Sequence, residues 1–169
     1  MLARYFTIFN NFGVLPAAID LSGHRADATP PGVVTRNDDA RSITGAQTEP
    51  TLLAGPSAGG FAIAAAAERD PSLVARLIYV AACILAPGLS LAGLRRPGPR
   101  QPLRGALRLS DDRLTSKVDP TAARRLLFQD CPDQTAAWAV SKRGPEPVRP
   151  QSVPLCLGRN LRICRATPS

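Results

Sequence analysis

Apolar residues in this chain gather in three uninterrupted runs, and the polar residues between them cluster with turn formers. The run "GVLPAAIDL" (13–21) ends in "SGHRADATPPG", dense in Gly, Pro, Asp and Ser, and predicts a buried strand followed by a loop. "TLLAG" (51–55) predicts a second buried strand, and "RLIYVAACIL" (76–85), rich in Ile, Val and Tyr, a third. Between the last two lies "AGGFAIAAAAERD" (58–70), a run of alanines that closes on Pro71 and predicts a strong helix. "NDDARSITGAQ" (37–47) opens on capping residues and predicts a weaker helix, because Gly45 and the β-branched Ile43 and Thr44 lower its propensity. Apolar strands alternating with helices imply parallel strands joined by crossover helices, with both sheet faces covered. The expected class is α/β.

The pattern changes at Pro87. "RRPGPRQPLRG" (95–105) reads as a loop, while "DPTAARRLLFQD" (119–130) and "DQTAAWAVSK" (133–142) have helical spacing, the former starting on Asp-Pro. After residue 142 prolines recur without a clear period, which predicts a loosely ordered ending. The expected organisation is one domain over 1–142, with 87–142 a helical segment beyond the sheet, and a Pro/Arg-rich tail over 143–169. No internal repeat is present.

Composition narrows the function classes. With 169 residues, 44% of them apolar and 20% charged, the chain has enough apolar material for one folded domain. The net charge of +8 is confined to its second part: residues 1–94 hold six Arg against seven acids, residues 95–169 fifteen Lys or Arg against six. Such a basic half could neutralise phosphates, but no aromatic residues interleave the cations as a base-stacking surface requires. Nucleic-acid association is therefore a minor reading. Cys83, Cys131, Cys156 and Cys164 form no C-x-x-C pair, and His24 is the single histidine, so a Cys/His metal site is not expected. Unpaired, scattered cysteines suit a reducing, cytoplasmic setting. The opening "MLARYFTIFNNFGVLPAA" has one Arg and an apolar stretch, but Asn10 and Asn11 interrupt it as a secretion signal. No run approaches the roughly 20 apolar residues of a membrane span, and no motif calls for a cofactor.

Gly55-Pro56-Ser57-Ala58-Gly59 fits G-x-S-x-G at the junction of a predicted strand and helix, where that motif has a mechanical meaning. A sharp strand-to-helix turn lifts the serine Oγ above the sheet edge. Small residues two positions either side, here Gly55 and Gly59, keep strand and helix from clashing. The N–H of Ala58 and the helix N-terminus would face an oxyanion beside the hydroxyl, and Gly60 would allow close helix–sheet packing. The other reading is a glycine-rich corner that binds a phosphate or only turns the chain. Neither G-x-G-x-x-G nor Gly-Lys-Ser/Thr is present to support the phosphate version.

The stretch "TLLAGPSAGGFAIAAAAERDPSLVARLIYVAACILAPGLSL" resembles the nucleophile-elbow region of α/β-hydrolase-fold serine esterases. "AAIDLSGHRAD" resembles that family's Asp-Leu-Pro-Gly-His-Gly loop, with Ser22 and Arg25 departing from it, and "VDPTAARRLLFQDCPDQTAAWAV" resembles the cap of some members. The likeness covers about residues 13–154. It implies a partial three-layer α/β-hydrolase-like fold with a parallel sheet, a helical cap segment and a loose basic tail. It also implies Ser57 as nucleophile, Ala58 N–H as an oxyanion donor, and a small ester or acyl compound as ligand.

The same resemblance marks gaps. The family's catalytic histidine follows late strands, whereas His24 lies in the loop whose histidine is structural, leaving His24 a secondary candidate for the base. Asp111, Asp119, Asp130 and Asp133 fall in the cap-like part, so none is assigned as the orienting acid. The family's His-Gly oxyanion segment has no counterpart before residue 13, and the strand that carries it normally lies between those placed at 13–21 and 51–55. The expectation is a chain truncated at both ends, with exposed sheet edges that permit self-association, and slow or absent turnover. Two alternatives stay open: a non-catalytic module binding a small ligand or a protein, and nucleic-acid association through the basic half.

Overall fold

Two of the three apolar runs become neighbours. The computed structural model describes residue 11 and residues 13–84, 88–95 and 101–154. Thr51–Pro56 (β1) and Val74–Val80 (β2) pair in parallel, with Leu53 opposite Leu77 and Gly55 opposite Tyr79. The helix between them, Gly59–Arg69 (α2), supplies the crossover and buries Gly60 through Ala67 without a break. A helix hydrophobic all round must be covered all round. The sheet covers α2 on one side through Leu53, Val74, Leu77 and Tyr79; the helix Arg36–Gly45 (α1) covers another through Ala40 and Ile43. Alanine's small side chain permits these close approaches.

The start of α1 is fixed by its own sequence. Thr35 is its N-cap and accepts from the Asp38 N–H, while Asp38 Oδ2 accepts from the Thr35 N–H at 2.8 Å, closing a capping box. The helix thus begins one residue before the predicted start at 37. It buries Arg36, Asp39, Ala40 and Ile43, a stripe at helical spacing.

Three expectations are corrected here. The run 13–21 forms no strand: residues 14–20 make no sheet pairing, and Leu15 is 88% exposed. An apolar run specifies a strand only if a partner strand offers backbone donors and acceptors, and no described strand flanks β1 on its outer side. The sheet is covered on one face alone among the described residues; Leu52, Ile78 and Val80 stay substantially exposed on the other. The third run ends as a strand at Val80 rather than residue 85, because Ala81 turns the backbone to φ +43°. Residue 85 lies outside the described residues, as do the opening segment 1–10 and residues 155–169 of the basic ending.

Beyond the sheet, Leu91–Arg95 (α3) precedes a second small core. Leu107–Leu109 (β3) and Thr115–Val118 (β4) form an antiparallel hairpin that the apolar pattern does not predict. Pro120–Leu127 (α4), capped by Asp119, which accepts from the Ala122 N–H at 2.9 Å, and Asp133–Ser141 (α5) match the predicted helices to within a turn. Ala106, Val118 and Ala123 form the buried centre of this unit, with Leu107, Leu126 and Val140 against it. The first residues of the proline-rich ending are placed, contrary to expectation. Glu146–Pro147 (β5) pairs with β4, Arg149–Ser152 (α6) follows, and Arg36 Nη2 donates to the carbonyl of Pro150 at 2.5 Å and to that of Val153. Backbone carbonyls of the ending thus take up Nη2 of a buried guanidinium of α1, a pairing that composition alone could not reveal.

Candidate functional site at a strand-to-helix corner

The corner between β1 and α2 is forced by two glycines. A Cβ on Gly55 would lie 2.6 Å from the Gly59 carbonyl group, so the end of the strand and the start of the helix approach as only glycine permits. A Cβ on Gly60 would lie 2.9 Å from the Cys83 carbonyl oxygen and 3.1 Å from Tyr79 Cδ1, which brings α2 down onto the end of β2. Between them Ser57 takes φ +50°, a left-handed conformation that costs a non-glycine residue about 1–2 kcal/mol. Its backbone is held from both sides: the Ser57 N–H donates to the Val80 carbonyl at 3.3 Å, and its own carbonyl accepts from the N–H groups of Cys83 and Gly60 at 3.2 and 3.3 Å. The side chain is exposed. Among the described residues the N–H of Ala58 makes no hydrogen bond, leaving a donor beside the hydroxyl at the mouth of α2.

Ser57 stands on the wall of a cavity of about 590 Å³. Its apolar lining includes Phe61, Leu91, Leu103 and Phe128, drawn from both sides of the chain's change in pattern at Pro87. Six polar residues share that wall with Ser57: His24, Arg36 and Asp39, and, from the far end of the chain, Arg143, Glu146 and Gln151.

His24 is positioned by a tight loop. Gly23 adopts φ +70°, and a Cβ there would press to 2.9 Å from Val34 Cγ2. Asp27 Oδ1 accepts from the Gly23 and Thr29 N–H groups at 2.8 and 2.9 Å, interactions that hold its carboxyl below the usual carboxylate range. His24 Nδ1 lies 3.0 Å from the Ser22 carbonyl. A carbonyl can only accept, so Nδ1 carries the proton in the neutral ring and Nε2 keeps its lone pair. No hydrogen bond joins His24 to Ser57 among the described residues.

Asp39 was not singled out in the sequence. It is 6% exposed, and its Oδ1 has no hydrogen-bond partner. Burial pushes its carboxyl up to about 6, against the opposing pull of His24 and Arg36. The signal that could have found it is the pair Asp38-Asp39 at a helix start. One acid completes the cap, and the other, on the stripe with Ala40 and Ile43, must go inward. Asp111, Asp119, Asp130 and Asp133 are absent from the cavity wall.

This architecture has counterparts among solved structures. A pyrethroid hydrolase from Sphingobium faniae JZ-2 superposes with a TM-score of 0.74 at 23% identity, over 88% of this chain and 63% of that one. An extracellular α/β-hydrolase from a Paenibacillus species gives 0.71 at 19% identity, over 92% and 64%. Polyneuridine aldehyde esterase gives 0.70 at 17% identity, over 88% and 64%. The chain carries the α/β-hydrolase fold. It spans about two thirds or less of the length of these neighbours. No protein-family model matches it, and neither does any curated protein sequence.

Within the α/β-hydrolase fold the Ser57 corner joins a sheet strand to the helix crossing to the next strand. Among the described residues no group of three His, Cys, Asp or Glu side chains could hold a metal ion, and no helix is long and apolar enough to cross a membrane.

Proposed function

We propose that the chain is a serine hydrolase of the esterase type, in which Ser57 attacks the carbonyl carbon of a small ester and expels the alcohol to leave an acyl-enzyme. The observation that carries this reading is the exposed Ser57 hydroxyl at φ +50°, beside the unengaged Ala58 N–H and on the wall of an apolar cavity. A carbonyl oxygen that becomes negative as the tetrahedral intermediate forms would find the Ala58 N–H and the positive end of α2 beside it. Gly55, Gly59 and Gly60 contribute by letting the corner close. Polyneuridine aldehyde esterase, a neighbour on the same fold, supports the choice of ester over other acyl compounds.

Proton removal sets the rate. A serine hydroxyl is a poor nucleophile until a base takes its proton, and no described side chain is hydrogen-bonded to Ser57 Oγ. His24 is the secondary candidate, since its Nε2 lone pair is free in the tautomer that the Ser22 carbonyl imposes. Acylation is expected to be slow. A fluorophosphonate probe tests the reading directly: one equivalent should attach to the wild-type chain and none to Ser57→Ala, read by intact mass. Folded protein that stays unlabelled would remove the enzyme and leave the second reading, a non-catalytic small-ligand module, which the missing Ser57–base hydrogen bond favours.

A further inference from the structure

One stretch of the cavity wall cannot hold itself in place. Residues 145–154 include four prolines, each without a backbone N–H. Such a stretch is rich in acceptors and poor in donors, and its regular structure amounts to the two residues of β5 and the four of α6. Donors must come from outside it. At its start they are close by: β5 pairs with β4, and the Leu114 carbonyl accepts from the Val148 N–H at 3.0 Å. At its end they come from α1, where Arg36 Nη2 donates to the carbonyl of Pro150 at 2.5 Å and to that of Val153.

Arg36 is suited to be a fixed point. It is 9% exposed, and its guanidinium carbon lies 5.4 Å from the centroid of the Phe61 ring, which is buried in the core between α1 and α2. A guanidinium withdrawn from water needs well-placed acceptors, and backbone carbonyls of a donor-poor segment are such acceptors. Arg36 and Phe61 both stand on the wall of the Ser57 cavity, as do Glu146, Pro147, Pro150 and Gln151 of the segment it holds. Pro147 is fully buried and seated against the loop of His24: a Cβ on Gly23 would lie 3.0 Å from Pro147 Cγ. The segment thus crosses the cavity wall between two anchors, the β4 hairpin at one end and Arg36 at the other.

We propose that residues 146–153 form a strap that closes one side of the Ser57 cavity, and that Arg36 is the positioning residue that bolts it and so limits the size of the group the cavity admits. The size limit rests on the reading of Ser57 above; the bolt does not. Arg36 touches no reacting atom in this role.

The test uses the full chain and two readouts. In hydrogen exchange, Arg36→Met removes the donors while keeping a long side chain, and should speed exchange of the Val148 and Gln151 amides by about tenfold or more, the loss expected of a charged hydrogen bond, with the amides of α2 unchanged. In labelling read by intact mass, diphenyl fluorophosphate is compared with the smaller diethyl fluorophosphate. The ratio of their rates should rise by about tenfold in Arg36→Met, since only the larger reagent gains from an opened wall. Arg36→Lys keeps the cation and a donor and should fall between wild type and Arg36→Met in both readouts; it also carries the test should Arg36→Met fail to fold. Exchange unchanged at residues 148 and 151, or raised equally in α2, would overturn the bolt. Faster exchange with an unchanged rate ratio would overturn the size limit. A wild-type chain that neither reagent labels would remove the Ser57 reading and the size limit with it, while exchange would still decide the bolt.

Discussion

The two faces of the β1–β2 ribbon are built from the same few residues and meet opposite fates. Leu53 and Gly55 point at α2 and are buried, while Leu52, Ala54 and Pro56, the residues alternating with them, are exposed. Strand alternation makes this automatic once one face is covered. The difference lies in what each face has to pack against. On the inner side an alanine helix approaches closely enough to bury Leu53, Ile63 and Ala66 together. On the outer side no described element covers Leu52, Ile78 or Val80. Apart from Arg76, opposite Leu52, the outer residues are apolar as well, which approaches the composition of a sheet buried on both faces. The inner face therefore holds the fold together, and the outer face is apolar surface ready to be covered.

Truncating one leucine on each face should show the largest contrast. Leu53→Ala removes hydrocarbon from the centre of the core and should cost about 2–4 kcal/mol in a urea unfolding experiment. Leu52→Ala, at a side chain more than half exposed, should change stability by less than about 0.5 kcal/mol. Equal losses would mean that the outer face is covered in solution. Self-association across it would then show as a concentration-dependent sedimentation coefficient that Leu52→Ala lowers.

A second contrast lies in pH, between carboxylates that the fold welcomes and the one it burdens. Thr35 lowers Asp38, backbone donors lower Asp27, and the Ser110 hydroxyl lowers Asp112; their contribution is present above the ordinary carboxylate range and is lost as pH falls through it. Asp39 works the other way. Its carboxyl is raised from 3.8 to about 6 by burial, so between those values the folded chain binds more protons than the unfolded one. Stability should fall as pH rises through that window, by on the order of 3 kcal/mol once Asp39 is fully ionised. Asp39→Asn should flatten the decline between pH 4 and 6 while leaving the acid-side loss below pH 4 in place. An unchanged profile in thermal melts would show that Asp39 ionises as freely in the fold as outside it.

What was legible in the sequence follows the same division between local and non-local causes. The β1–α2–β2 unit could be read because Gly55, Ser57 and Gly59 state the corner within five residues, and the alanine run states the helix after it. The capping box at Thr35 and Asp38 and the Asp119-Pro120 helix start are equally local. The run at 13–21 predicts a strand that does not form, because its residues report suitability for burial, not the presence of a partner strand. Arg36 binding the Pro150 carbonyl joins residues 114 positions apart, and nothing in either neighbourhood announces it. Asp39 falls between these cases. Its place on the buried stripe of α1 is local, but its lack of a partner depends on what surrounds the cavity.

The smallest effect concerns the corner itself and separates its geometry from its chemistry. Ser57 at φ +50° stores strain that glycine would not feel. Ser57→Gly should therefore stabilise the fold by about 0.5–1 kcal/mol, the relief of strain being reduced by the greater freedom glycine has when unfolded. Ser57→Ala keeps the Cβ and the strain, and should leave stability within about 0.5 kcal/mol of wild type. Both variants lose the hydroxyl, so both should lose fluorophosphonate labelling alike. A chain that holds a strained serine where glycine would be more stable maintains the hydroxyl at a cost, as a site reserved for that group would. If Ser57→Gly proves no more stable than Ser57→Ala, the backbone hydrogen bonds that Ser57 makes to the Val80 carbonyl and accepts from Cys83 and Gly60 already absorb the strain, and the corner carries no such mark of purpose.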